Sequence, residues 1–448
     1  MIRLAIYLGF VVAATMIWSQ AKADEPKVNF FGAGWVQYGY VEKSFTPPSL
    51  SDNDYNKNML EYAGGLFGAS ARIDEHWDGA FGIGAIQVHL SRGNRGHANI
   101  WYPFLVPFVN QANISYATQL FSDQDHLKVS LGAMNYDYNP EAKDFGDYLL
   151  RGYVYPGNVV SGFETNEKSG GATLFGGKAS YSSSVFGNDL ILKSETDDYP
   201  LYDFSLADLI SFRPMAGLEL GAGVNLYRLI PQNSKLTSPP TDCQSGDLGT
   251  YAAQVVGGHS CAIYDTTAVD QATGKATVDT LSGSLAGTKL MARFRLDPKE
   301  WLGTGSWGKN DWVVYGEAAV LGLKDYPKVY DKMVRRIPVM VGFDVPTHGW
   351  LDFLSVEIEY YANKNSNDVI TAENGSWIPA LHSDYNYARD DWKWALYASK
   401  VVLGHVKFSG QVANDHTRFG GSHDAATGVE ALSVPSDWYW IGKIAYFF

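Results

Sequence analysis

The chain closes on Asp437-Trp438-Tyr439-Trp440-Ile441-Gly442-Lys443-Ile444-Ala445-Tyr446-Phe447-Phe448. Counted back by twos, one face carries Phe448, Tyr446, Ile444, Gly442, Trp440 and Trp438, and the only internal charge, Lys443, falls on the other. A period of two is the side-chain period of an extended strand. Aromatic residues at both ends of the apolar face suit a surface lying between lipid and a wet interior, where aromatic girdles mark the two membrane interfaces.

A closing strand that ends in Phe resembles the C-terminal signal of bacterial outer-membrane β-barrels, and the resemblance is to that broad superfamily. It implies that Phe448, Tyr446 and Ile444 act as an assembly signal read by the barrel-assembly machinery. The other end of the chain agrees. Arg3, the apolar run Leu4 to Ile17 and the small-x-small site Ala21-Lys22-Ala23 read as a secretory signal peptide, residues 1–23, removed before Asp24. That run is shorter than the ~20 residues a spanning helix needs. Trp101 to Val109, the best later candidate, is short and broken by Pro103 and Pro107.

Composition narrows the remaining classes. Average hydropathy does not exclude a membrane protein, because barrel strands alternate apolar and polar residues. Removing Arg3 and Lys22 moves the formal net charge from −13 to about −15, which argues against a nucleic-acid or anionic-surface binder. Cys243 and Cys261 are the only cysteines and share one polar, Gly- and Thr-rich segment. An oxidising compartment favours their pairing as a loop staple worth ~3 kcal/mol. The competing reading is a metal site, for which His259 alone is a poor third ligand.

Period-two segments bounded by turn residues give sixteen strands, at 28–41, 61–74, 77–91, 109–121, 126–136, 171–182, 187–194, 202–212, 215–230, 288–297, 311–322, 334–345, 350–362, 391–402, 405–415 and 437–448. The odd connections run ~19, ~17, ~34, ~7, ~57, ~11, ~28 and ~21 residues, while the even ones are mostly ~2–6, with one of ~13. Soluble sandwiches have no reason to place long loops on every other turn. A transmembrane antiparallel barrel does, with short periplasmic turns and long extracellular loops. Residues 24–448 then form one barrel domain, and 28–41 pairs with 437–448 because lipid cannot satisfy an open edge.

The apolar face of each strand sets which charges point to water. Opposite Leu290, Ala292, Phe294 and Leu296 stand Lys289, Arg293 and Arg295. A lipid-facing Arg near the midplane would cost about 2–4 kcal/mol. The same test turns Glu317, Glu357, Glu359, Lys393, Lys407 and Gln411 inward, with Lys128, Lys178, Lys193, Glu219 and Arg336 as further lumen candidates. Two readings stand: opposite charges set a transverse field across the pore, or neighbours neutralise one another as ion pairs.

The third outer connection, 137–170, holds Asn139-Pro140-Glu141-Ala142-Lys143-Asp144-Phe145-Gly146-Asp147-Tyr148-Leu149-Leu150-Arg151. Asn139 followed by Pro140 predicts a capped helix start. Phe145, Leu149 and Leu150 make little sense in water, so the segment is expected to fold into the mouth, with Asp144, Asp147 and Arg151 as constriction residues. Resemblance to general porins, whose third outer loop bends inward, points the same way. The other reading is a helix that caps the rim. The connection 231–287 is expected to be a long disulfide-bearing extracellular loop.

The ten His residues, including His416, have no catalytic spacing, and no metal or cofactor motif is evident. The sequence therefore predicts a porin-like channel in the outer membrane of a Gram-negative cell, passing small polar or charged solutes without an enzyme activity or cofactor. Its surroundings would be outer-membrane lipid and lipopolysaccharide, with no nucleic acid; a homotrimer, common among general porins, is left open. Alternatives are a dedicated export or uptake pore for a substrate such as a polysaccharide, and an adhesin-like surface-binding barrel.

Overall fold

A computed structural model of the protein describes residues 27–44, 56–57, 59–90, 104–152, 154, 157, 159–163, 172–196, 202–232, 253–256, 259–269, 276–281, 286–302, 307–324, 332–363, 391–417 and 430–448. The expected signal peptide, residues 1–23, and Cys243, one half of the expected Cys243–Cys261 pairing, lie outside the described residues.

The strands in chain order are β1 (Lys27–Lys43), β2 (Met59–Arg72), β3 (Trp77–Leu90), β4 (Phe104–Gln119), β5 (His126–Tyr136), β6 (Ala172–Ser182), β7 (Phe186–Glu195), β8 (Asp203–Met215) and β9 (Leu218–Ile230). They continue with β10 (Ala253–Val256), β11 (His259–Val269), β12 (Ala276–Leu281), β13 (Gly287–Leu296), β14 (Val314–Val320), β15 (Val339–Asp344), β16 (Phe353–Tyr360), β17 (Trp392–Val402), β18 (Val406–Asn414) and β19 (Trp438–Phe447). All but β10–β12 form one closed antiparallel barrel in which each strand pairs with its neighbours in sequence and β1 pairs with β19. The fold is a sixteen-strand transmembrane barrel. Closure is completed by the terminal residue, since Phe448 and Gly32 exchange two backbone hydrogen bonds, 3.0 and 3.1 Å.

Alternation of burial separates lipid face from lumen. Along β17, Trp392, Trp394 and Leu396 are exposed while Lys393, Ala395 and Tyr397 are buried. On β19, Ile444 and Tyr446 are exposed on the lipid face while Tyr439 and Ile441 are buried within. Exposed apolar side chains with buried charged ones invert the soluble pattern, as a barrel in lipid requires.

Several boundaries move. β4 begins at Phe104, earlier than expected, and runs through Pro107: its first half pairs only with β3, and β5 joins from Ala112 onward, so Pro107 needs no donor on the open side. The turn between β8 and β9 is at 216–217, with Gly217 at φ 75, rather than at 213–214; Pro214 sits inside β8 where the ladder with β9 shifts register. β14 starts after Trp312, which adopts a left-handed φ of 64. Arg336 is not on a strand but in a 3-10 turn, Met333–Arg336, because Pro338 has no N–H to extend the ladder; β15 starts at Val339. β10, β11 and β12 make a separate three-stranded sheet within the connection that the sequence marks only as a long loop. Their Val, Thr and Tyr content has β propensity, but the period is short and interrupted by turn residues.

Candidate functional site: the third outer connection inside the barrel

The predicted helix from Asn139 does not form. Residues 139–142 make a turn, the amide of Ala142 donating to the carbonyl of Asn139 (3.0 Å), and among the described residues of this connection the helix is α1 (Tyr148–Arg151). The cause is a competing acceptor. Glu317, buried on the inner face of β14, accepts from the Tyr138 hydroxyl (2.6 Å), the Asn139 side-chain amide (3.0 Å) and the successive backbone amides of Asp147 and Tyr148 (both 2.9 Å). Gly146 (φ 87) and Asp147 (φ 54) are left-handed, which aims consecutive N–H groups into one anion-binding concavity.

Glu357, on β16, repeats the device. It accepts from the backbone amides of Lys143 (2.5 Å), Asp144 (3.1 Å) and Phe145 (2.9 Å), and from the Tyr315 hydroxyl (2.8 Å). Glu359 accepts from the hydroxyl of Tyr148. Three inward carboxylates therefore hold the connection against the wall through its main chain and tyrosines. From β9, the Asn225 side-chain amide donates to the carbonyl of Leu149 (2.9 Å), and from β13, Lys289 donates to that of Gly152 (2.5 Å). Leu149 packs against Gly223, where an added Cβ would lie 2.8 Å from its Cδ2.

The segment then crosses to the closing strands. Phe163 donates its amide to the Tyr439 hydroxyl (3.2 Å) and lies 6.2 Å from the Tyr397 ring. The last outer connection meets it there: His416 donates its backbone amide to Ser161 Oγ (2.9 Å), and its ring nitrogens contact Glu359 and Glu430. Lys393 pairs with Glu430 (2.7 Å) and donates to the carbonyl of Leu432 (2.6 Å). Ala431 and Leu432 are buried in the same cluster as Phe145, Leu149 and Phe163.

Buried charge here is strongly perturbed. Burial pushes Asp144 well up, and the neighbouring carboxylates of Asp415 and Glu357 push the same way. Asp147 is raised by burial and by Asp137, against the pull of Arg151. Burial alone would lower His416, but Glu359 and Glu430 outweigh it and bring it up to about 9.

Of the expected constriction residues, Asp144 and Asp147 are buried in this packing, while Arg151 is half-buried and donates to the carbonyl of Asp144 (3.2 Å). The expected lumen cations largely meet local carboxylates: Lys128 with Asp78 (3.0 Å), Lys193 with Glu195 (2.8 Å), Arg293 with Glu219 (2.5 Å) and Arg295 with Glu141. Glu219 also accepts from Arg213 (2.9 Å). Lys178 lies over the Tyr136 ring (4.7 Å) and Lys407 over that of Tyr397 (5.9 Å). Arg336 is fully buried. Sequence reasoning missed Asn225, His416, Glu430 and Tyr439 as parts of this site. Tyr439 was legible from the parity of β19; His416 and Glu430 lie on a connection with no periodicity to place them. Among the described residues no group of side chains is arranged to hold a metal ion.

No family model matches the chain, and no curated protein matches it. Among solved structures it is similar to OmpF of Salmonella typhi in complex with daunomycin, at 10% identity and a TM-score of 0.43, over 94% of this chain and 98% of that one. It is also similar to a mutant of the Rh. blastica porin, at 9% identity and a TM-score of 0.41, over 94% of this chain and 100% of that one. At these values the likeness adds nothing to the closed strand order described above.

Proposed function

We propose that the protein is a porin-like channel in the outer membrane of a Gram-negative cell, passing small polar or charged solutes by passive diffusion through a lumen narrowed by the described part of the third outer connection, residues 137–152 and 159–163. The observation that carries this reading is the connection held inside a closed sixteen-strand barrel by Glu317 and Glu357. A barrel of this strand number encloses more space than its own side chains fill. An inward segment tied to β9, β13, β14, β16 and β19 narrows that space, and in this reading what remains is lined by polar side chains and wet.

A second reading, a blocked barrel that works through its outer loops, is favoured by one observation: the last connection also packs inside, at His416 and at Ala431 and Leu432. Single-channel conductance of the folded protein in a planar bilayer, with polyethylene glycols of graded size, separates the two. Stable steps with a size cutoff are expected. A heat-modifiable folded barrel that stays silent overturns the channel reading in favour of the second.

A further inference from the structure

One wall of the lumen departs from the polar lining of the rest. On β1, Phe31 and Trp35 face inward with Val41, whose partner on β19 is the buried Tyr439. On β4, Phe108 faces the same way, since its register runs through Gly84 and Leu66 to Ala33. It stands midway between Phe31 and Trp35, which are ~13 Å apart along β1. Each ring lies on glycine. A Cβ added to Gly64 would stand 2.5 Å from Trp35 Cζ2, and Cβ atoms on Gly68 and Gly84 would overlap the rings of Phe31 and Phe108. Covering glycine is a structural task, and Tyr315 performs it over Gly342. Tyr315, however, is fully buried in the cluster that holds the third outer connection, whereas Phe31, Trp35 and Phe108 are only part-buried, backed by the wall and open toward the lumen. The wall is also uncharged: no lumen-facing residue in 29–41, 60–70 or 80–86 carries a formal charge, and β4 has no charged residue. Hydrogen-bonding groups stand free beside the rings. Trp35 Nε1, the amide of Gln37 next along the same face, and Asn110, which meets Phe31 over Gly82, have no hydrogen-bond partner among the described residues.

These groups select their occupant by charge and shape. An aromatic face is negative, so it does not attract an anion. Lys443 already stands 5.3 Å from the centre of the Trp35 ring and repels a second cation there. A wholly apolar solute would strip water from Gln37, Asn110 and Trp35 Nε1 without replacing it. What fits is a neutral solute with a flat face of C–H groups to lie on the rings and a rim of hydroxyls to meet the amides and the indole N–H, as in a pyranose with equatorial hydroxyls. The separation of Phe31 from Trp35 exceeds one such ring, so only a chain of them touches both. We propose that the inner wall of β1–β4 is a binding strip for linear gluco-oligosaccharides passing along the lumen, with Trp35, Phe108 and Phe31 stacking on their sugar rings. The inference rests on the channel reading and gives it a solute class.

The test is single-channel current through the full barrel in a planar bilayer, with cellotetraose added on one side and a polyethylene glycol of matching hydrodynamic size as control. Cellotetraose is expected to interrupt the current in a saturable way, and the glycol is not. Trp35→Leu, which still covers Gly64 but has no aromatic face, should raise the half-blocking concentration about fivefold, and Phe108→Leu repeats the test on a second strand. Trp35→Phe should keep most of the block. Heat-modifiable mobility confirms that each variant folds. Conducting channels that ignore cellotetraose, equal block by the glycol, an unchanged block in both leucine variants, or block by benzyl alcohol in place of the sugar overturns the inference and leaves the channel reading standing. A folded barrel that never conducts overturns the channel reading, and the strip with it.

Discussion

Glu317 shows what a single residue decides. The rule that Arg and Glu on a barrel strand must point to water turns it inward from sequence alone, and it is buried on the inner face of β14. What it meets there is invisible in the sequence, because all four of its donors lie more than 160 positions away in the chain and two are backbone amides. Backbone amides have no residue signature, so no pattern in 137–151 announces that they will wrap a carboxylate. Removing the acceptor leaves those donors buried without a partner. Glu317→Ala should lower stability by about 2–4 kcal/mol and release the inward segment. Urea unfolding followed by heat-modifiable mobility measures the first, and a rise in single-channel conductance or its noise measures the second. Unchanged values for both would show that the anchor does not matter.

At the level of elements, strands were legible and connections were not. A strand announces itself every second residue, and the charge pattern adds which face is wet. β1, β5 and β6 fall within two residues of expectation at each end. Errors concentrate where Pro214, Trp312 and Pro338 interrupt the period, and each is a local backbone constraint. The third outer connection was expected inward from its misplaced Phe145, Leu149 and Leu150, whereas the last connection had no comparable signal, although it is tied down by His416. That tie is titratable. The charged form of His416 is held between Glu359 and Glu430, with Lys393 and the Tyr148 hydroxyl packed against the same carboxylates. Its folded value of about 9 lies above the ordinary 6.5, so the stabilisation is complete below pH 6.5 and is lost as the pH rises through about 9. Proteolysis of the last connection should therefore accelerate above about pH 9, with the barrel itself intact. In His416→Gln the connection should already be susceptible at neutral pH and show no such transition; an identical pH profile in that variant would rule the histidine out as the cause.

For the whole molecule, closure is the decisive event. No strand of the sheet can remain an edge in lipid, and the final bonds of closure are made by Phe448, whose backbone exchanges hydrogen bonds with Gly32 and whose ring covers that glycine. Deleting Phe448 should reduce the folded, heat-resistant fraction recovered from membranes without changing the amount of chain exported. A normal folded fraction would remove Phe448 from the assembly step. The sequence by itself determined the sixteen strands, their antiparallel order and the faces that meet lipid, because these depend on a period of two and on the cost of charge in hydrocarbon. Only the tertiary structure decided how the interior is occupied: which carboxylates are spent on holding two connections and which cations are neutralised by a neighbour. Those contacts join residues remote in the chain through backbone groups that every sequence carries alike, and only closure of the barrel brings them within reach.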